Sequence, residues 1–307
     1  AGSGANTVYG EDGNDIISVA GSSSNQLFGG NGNDSITAGG GADSIDGGNE
    51  NDSVSGGDGN DTILGGDGDD TIDGGRNSNA LAGGDGNDSI YADNSADSIL
   101  GGGGNDTIFD NGGVDTLVGG DGDDFITAFE APGTSNMGDS ILGGAGADTI
   151  VSNNPNVSEG DTILGGEGSD SIIAGSGVDS IIEYDVDGVG HDTIFSGDQN
   201  DTVLAAAGDD SVDGGRHDDS LDGGTGNDTL TGGEGDDILA GGAGNDRLTG
   251  GDGVDLVSYA AFTDNVTVDL GAESASSASA GNDTLFSIEN VTTGGGADTV
   301  IGSVADN

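Results

Sequence analysis

The sequence predicts an all-β chain wound as a parallel solenoid. Three observations carry the prediction: a nine-residue repeat, an aliphatic residue held at one place in it, and a composition dominated by glycine and aspartate. The repeat is G-G-x-G-x-D-x-U-x with U aliphatic, as in Gly56-Gly57-Asp58-Gly59-Asn60-Asp61-Thr62-Ile63-Leu64. Counted by its sixth-position Asp or Asn from Asn6 to Asp255, it recurs about 27 times. The U position is Val, Ile or Leu throughout, from Val8 and Ile17 to Leu248 and Val257. Low complexity alone has no reason to hold that phase.

Each part of the repeat has a physical reading. The glycine-rich residues turn the chain, because glycine enters positive-φ conformations without penalty. The three residues after the sixth position, usually Thr or Ser and then the aliphatic, form a short strand whose central side chain points inward. Two repeats close one coil of about 18 residues, so consecutive turns fall on opposite edges. The resulting core is a thin ladder of Val, Ile and Leu, too little burial to stand alone.

Charge sets the second constraint. Of 307 residues, 68 are Gly, 58 are Asp or Glu and only three are Arg, with no Lys, Cys or Trp, and the net charge is −55. Direct nucleic-acid binding is excluded, since phosphate contact needs a basic surface. No apolar run approaches the roughly 18 residues of a membrane-spanning helix. Self-repulsion of this size holds a metal-free chain open. A hard cation reverses that balance, because Ca²⁺ selects carboxylate and carbonyl oxygens. Stacked same-edge turns bring sixth-position carboxylates and turn carbonyls together between neighbouring coils. The expected ligands are Asp15, Asp34, Asp43, Asp52, Asp61, Asp70, Asp88, Asp106, Asp124, Asp148, Asp170, Asp179, Asp210, Asp228, Asp237, Asp246 and Asp255. Roughly 15–25 Ca²⁺ are expected, and about 25 would carry close to the charge that offsets −55.

This motif resembles the RTX (repeats-in-toxin) calcium-binding nonapeptide family over residues 1–258. The resemblance implies a right-handed parallel β-roll with two short-strand sheets and Ca²⁺ between the glycine-rich turns. It also implies export by a type I pathway and folding outside the cell as Ca²⁺ rises. The absence of Cys fits an extracellular protein stapled by metal rather than disulfides. Residues 259–293 read as a non-repeat β-rich spacer similar to those between repeat blocks of long RTX-type proteins. In it Val266–Leu270 alternates like a strand, Ala272–Ala280 reads as a Ser/Ala-rich loop, and Asn282–Val291 reads as another strand region. Residues 294–307 restart the repeat. The array begins mid-repeat at Ala1 and stops at a sixth position, Asn307, so a segment of a longer protein is the expectation.

The two edges differ in sequence. Even-numbered turns such as Gly29–Asp34, Gly65–Asp70 and Gly101–Asp106 keep the glycines, whereas odd-numbered turns such as Ser22–Asn25, Arg76–Asn79, Asp93–Asp97 and Asp110–Asp115 are eroded. That predicts a nearly continuous ion row on one edge and gaps on the other, with Arg76 and Arg216 offering charge in place of missing cations. Insertions fall at Ala128–Asn136, Ser152–Asn156 and Glu183–Gly188, where Asp185 and Asp187 are candidates for an extra cation. The ninth position, expected to face outward, carries largely apolar stripes: Leu64, Ala82, Leu100, Val118, Leu142, Leu164, Ile182 and Leu204 on one side, and Tyr91, Phe109, Thr127, Val151, Ile173 and Phe195 on the other.

No H-E-x-x-H or G-x-S-x-G is present, and His191 and His217 sit in repeat turns, so the chain is not read as an enzyme. The expected function is a secreted calcium-binding structural module of a surface layer, filament or adhesin at the cell surface, open to self-association or a surface partner. The alternative is the folding and secretion module of an exoenzyme or toxin whose active domain lies outside this segment. A Ca²⁺ buffer is disfavoured, because such ligands release metal only by unfolding.

Overall fold

The computed structural model describes residues 4–129, 138–153, 160–185 and 190–303. The central parts of the insertions at Ala128–Asn136, Ser152–Asn156 and Glu183–Gly188, including Asp187, lie outside the described residues. The chain divides into two compact units, Ala1–Asn156 and Val157–Asn307. Among the described residues there is no helix, and so none long and apolar enough to cross a membrane.

Both units are parallel β-solenoids, as the repeat predicts. In the first, one sheet stacks six-residue strands: Thr7–Asp12, Gln26–Asn31, Ser44–Asn49, Thr62–Asp67, Ala80–Asp85, Ser98–Gly103, Thr116–Asp121 and Ser140–Ala145. The facing sheet is built of shorter strands, from Ile16–Ser18 and Ser35–Thr37 to Phe125–Phe129 and Thr149–Asn153. Register is in step with the repeat: Leu27 lies beside Ile45, Ile45 beside Ile63, and Ile63 beside Leu81. One inward residue per strand makes the core, so Leu27, Ile36, Ile63, Ile72, Ile90 and Ile108 are all buried. Their neighbours on either side alternate outward, which is the period-2 pleat.

The six-residue strands run on into the glycine pair of the next turn. Gly30 has φ +118°, and a Cβ there would collide with the Glu11 carbonyl of the preceding coil. A bare backbone is the only one that fits at that spacing.

In the second unit Thr162–Glu167 is long, but farther along the long strands belong to the opposite sheet: Thr193–Asp198, Ser211–Arg216, Thr229–Glu234 and Arg247–Asp252. They face three-residue strands Ser180–Ile182, Thr202–Leu204, Ser220–Asp222 and Ile238–Ala240.

Beyond Tyr259 the chain leaves the stack and returns to it. Gly281–Phe286 pairs in parallel with Arg247–Asp252, placing Leu285 beside Leu248, and Asn290–Thr293 pairs with Leu256–Tyr259. The Arg247 guanidinium lies 4.1 Å from the Phe286 ring centroid. Thr267–Asp269 holds the strand expected around Val268, whose side chain is buried with that of Val266. The loop expected over Ala272–Ala280 is corrected in part: Ser274–Ser277 is a strand, antiparallel to both Thr267–Asp269 and Gly281–Phe286. Its composition hides this, because Ala275 is the one apolar side chain it buries.

Candidate metal centres

The sixth-position aspartates form ladders along both edges of each unit. On the even edge of the first unit, the backbone N–H of Asp15 donates to Oδ1 of Asp34, that of Asp34 to Asp52, and so on through Asp70, Asp88, Asp106 and Asp124 to Asp148, at 2.7–2.8 Å. The odd edge runs the same way through Asp43 and Asp61. In the second unit Asp179 is followed by Asp201, Asp219, Asp237 and Asp255 on one edge. Asp170 is followed by Asp192, Asp210, Asp228 and Asp246 on the other. Each backbone carbonyl in these ladders also accepts an N–H from the next coil, as Asp52 does from Thr71 at 2.9 Å.

One oxygen of each carboxylate is therefore a structural acceptor. The other, Oδ2, is buried without a hydrogen-bond partner in Asp15, Asp34, Asp43, Asp52, Asp61, Asp70, Asp88, Asp106, Asp124, Asp179, Asp210, Asp228, Asp237, Asp246 and Asp255. Asp148 and Asp170 occupy equivalent buried places. Oδ2 points into the turn: a Cβ built on Gly29 would meet Asp34 Oδ2 and the Gly47 carbonyl of the next coil, and one on Gly65 would meet Asp70 Oδ2 and the Gly83 carbonyl. An orphaned buried anion beside a carbonyl oxygen has a large desolvation penalty and no protein donor. All-oxygen surroundings of this kind fit Ca²⁺.

The electrostatics point the same way. Burial pushes the Asp70 and Asp106 carboxyls up to about 7, with neighbouring aspartates adding to the rise and a backbone N–H opposing it. Burial, with Asp201 and Asp237 beside it, raises Asp219 to about 8. Burial also raises Asp228 to about 7 and Asp246 to about 6. Without a cation, each of these carboxyls is harder to ionise than an ordinary aspartate.

All seventeen residues singled out from the sequence lie in these ladders. Reading by intact glycine turns misses others in the same places, notably Asp97, Asp192, Asp201 and Asp219, each buried with an unpartnered Oδ2. Their sixth-position phase was the available signal. It also misses Asp283 and Glu289. Asp283 Oδ1 accepts the Asp246 N–H at 3.0 Å, and Glu289 Oε2 accepts that of Asp255 at 2.9 Å. The run Gly281-Asn282-Asp283-Thr284-Leu285 is the second half of the repeat, displaced by an insertion. The Tyr259 hydroxyl donates to Asp283 Oδ2 at 2.7 Å, so this carboxylate has a protein donor where most have none.

Asparagine makes the contrasting case. Asn25 Oδ1 accepts the Asn6 N–H as an aspartate would, but its Nδ2 donates to the Ser23 carbonyl and to Asp43 Oδ1. An amide donor there faces a turn carbonyl that a cation would otherwise use.

The arginines do not reach this interior. Arg76 lies 3.5 Å from Asp58, and Arg216 lies 3.4 Å from Asp198 and 4.0 Å from Glu234, all on the exposed rim. The two histidines accept backbone N–H groups through Nδ1, His191 from Asp209 and His217 from Gln199. Asp185 accepts the Gly168 N–H at 3.2 Å.

No curated protein matches the chain. The family profile described as RTX calcium-binding nonapeptide repeat (4 copies) matches it in successive, partly overlapping stretches. They are residues 1–20, 19–54, 46–81, 74–108, 109–130, 135–154, 158–182, 186–212, 195–230, 213–246 and 231–266. With the repeat, the parallel solenoid and the oxygen-lined turns all agreeing with that match, the chain belongs to the RTX calcium-binding nonapeptide repeat family.

Proposed function

We propose that this chain is a secreted structural module whose folding is driven by Ca²⁺ and which serves an extracellular surface layer, filament or adhesin. In this reading the seventeen sixth-position aspartates named from the sequence hold the ions, with turn carbonyls completing each shell. Metal binding and folding are then one event, because the oxygen cage exists only in the stacked state.

The observation that favours an assembling module is the outward ninth position. In the first unit Leu64, Ala82, Leu100, Val118 and Leu142 lie side by side in register. Leu64 is 42 % and Leu100 46 % exposed. On the facing sheet the Tyr91 and Phe109 rings stack at 5.4 Å. Continuous apolar surface on so acidic a chain is the kind that association covers. Asp46 and Asp73, at the same register, mark where the stripes begin.

Electron microscopy and sedimentation velocity of the chain in Ca²⁺ test this. Ordered sheets or filaments that dissolve in chelator and weaken in a Leu64→Ser/Leu100→Ser variant are expected. A strictly monomeric particle at high concentration in Ca²⁺ would favour the folding and secretion module instead.

A further inference from the structure

In most turns, the oxygen facing the sixth-position carboxylate from the next coil is a backbone carbonyl. Beside Gly83 the pair is Asp88 Oδ2 and the Gly101 carbonyl. Two turns bring a further carboxylate to this place. Beside Gly165 the nearest oxygens are both carboxylate oxygens of Glu183, next to Asp170 Oδ2. Glu183 stands at the first position of the following same-edge turn, where the repeat has glycine. It is 3 % exposed; Oε2 accepts the Gly166 N–H at 3.1 Å, and Oε1 has no partner.

The other is in the first unit. Asp110 occupies the same first turn position and is completely buried. Its Oδ2 accepts the Gly112 N–H at 2.9 Å, and its carboxyl is also in hydrogen-bond contact with that of Asp115. Ligand oxygens of Asp97, Asp110 and Asp115 lie within 4.8 Å of one another. Asp97 and Asp115 are the sixth-position residues of two successive same-edge turns, as Asp170 and Asp192 are around Glu183. The sequence pattern marks the Asp110 turn as eroded and places an insertion at Glu183; the structure shows that each turn has a buried acid aimed at the ladder where the repeat has glycine. Among the described residues no basic side chain answers these acids. Arg76 and Arg216 pair on the rim, and Arg247 covers Phe286.

We propose that Asp97, Asp110 and Asp115 in the first unit form a three-carboxylate site, and that Glu183 with Asp170 beside Gly165 in the second unit forms a further acid-rich site, each holding a hard divalent cation more tightly than the glycine turns do. Two sixth-position aspartates bracket an ordinary turn; here a first-position acid adds a further anion. Ligand charge count is a main determinant of Ca²⁺ affinity in rigid oxygen sites, and burial keeps the attraction from being screened. The sites rest on the repeat's calcium binding and are independent of any surface role.

The test is equilibrium dialysis of the full chain against radioactive Ca²⁺ in chelator-buffered solutions. The expected profile has a first class of about two ions per chain, bound roughly tenfold or more tighter than the rest. Asp110→Asn and Glu183→Gln should each remove one ion from that class. Asp110→Gly and Glu183→Gly restore the residue the repeat prefers, so they should do the same while reaching the wild-type circular dichroism signal at saturating Ca²⁺. Should an amide variant fail to fold, its glycine counterpart decides. A carboxyl held by a shared proton rather than a cation is mimicked by the amide. Superimposable profiles for wild type, amide and glycine variants would overturn the proposal, as would a wild-type profile with no tighter class.

Discussion

Acid should partly replace calcium in folding this chain. In the metal-free folded state, burial and neighbouring carboxylates raise Asp70, Asp97, Asp106 and Asp228 to about 7 and Asp179 and Asp219 to about 8. The ordinary value is 3.8. A rise of three units is about 4 kcal/mol against the ionised group at high pH. Halving it for screening through the exposed turn rim leaves about 2 kcal/mol per group. Over these six residues the sum is about 12 kcal/mol, as large as the whole stability of a typical domain. Between pH 4 and 7 the folded chain binds more protons than the unfolded one, so its stability falls as pH rises. The stabilising effect of protonation is complete below 3.8 and is lost as pH climbs through 6 to 8. With Ca²⁺ present the sign reverses, because protons compete with the metal for the same oxygens. In excess chelator, far-ultraviolet circular dichroism should show little strand at pH 7.5 and a substantial gain at pH 5. A chelated chain already folded at pH 7.5, or one with no gain at pH 5, would refute the electrostatic account.

Two further outcomes follow from the same geometry. In Gly65→Ala the new Cβ meets Asp70 Oδ2 and the Gly83 carbonyl; about one fewer Ca²⁺ should bind per chain by equilibrium dialysis, with the strand signal retained at saturation. Ile72→Ala empties a fully buried core position; a loss of about 2–5 kcal/mol should raise the Ca²⁺ concentration at half-folding in a dichroism titration, and an unchanged midpoint would show that the aliphatic ladder contributes little.

The winding, the register and the inward aliphatics were legible in the sequence because every strand obeys one rule. Ile63 and Ile72 alternate between sheets because nine residues make half a coil. The sixth-position ladder was half legible. Its phase marks Asp97 and Asp201 as clearly as Asp61, but glycine turns were a misleading filter for it. The ladder hydrogen bond uses only the backbone and Oδ1 of the aspartate, so Asp97 accepts the Asn79 N–H in a turn without consensus glycines. Asp283 was hidden by distance, since its ladder partner Asp246 lies 37 residues back across the inserted hairpin. Ser274–Ser277 was hidden by composition, and the burial of Asp110 and Glu183 by having no precedent at a glycine position.

The division of labour between the two carboxylate oxygens explains why aspartate holds the sixth position and what replaces it. Oδ1 must accept the preceding coil's N–H at 2.7–2.8 Å for the even-edge stack of the first unit to keep its spacing. Asparagine does this equally well: Asn79 Oδ1 accepts the Asp61 N–H at 2.9 Å. Only the second atom differs, an amide donor in place of an anionic oxygen. An Asp-to-Asn change therefore removes charge from a turn, and with it the metal affinity proposed for that turn, while leaving its stacking intact. Tyr259 reaches a related end from outside, donating to Asp283 Oδ2 instead of removing its charge. Turns that need a cation and turns that do not can then alternate within one ladder without a break in register. Much of the chain's buried charge thus sits on carboxylate oxygens that the fold does not itself satisfy, and in the proposed reading these are the atoms through which surrounding calcium would act on folding.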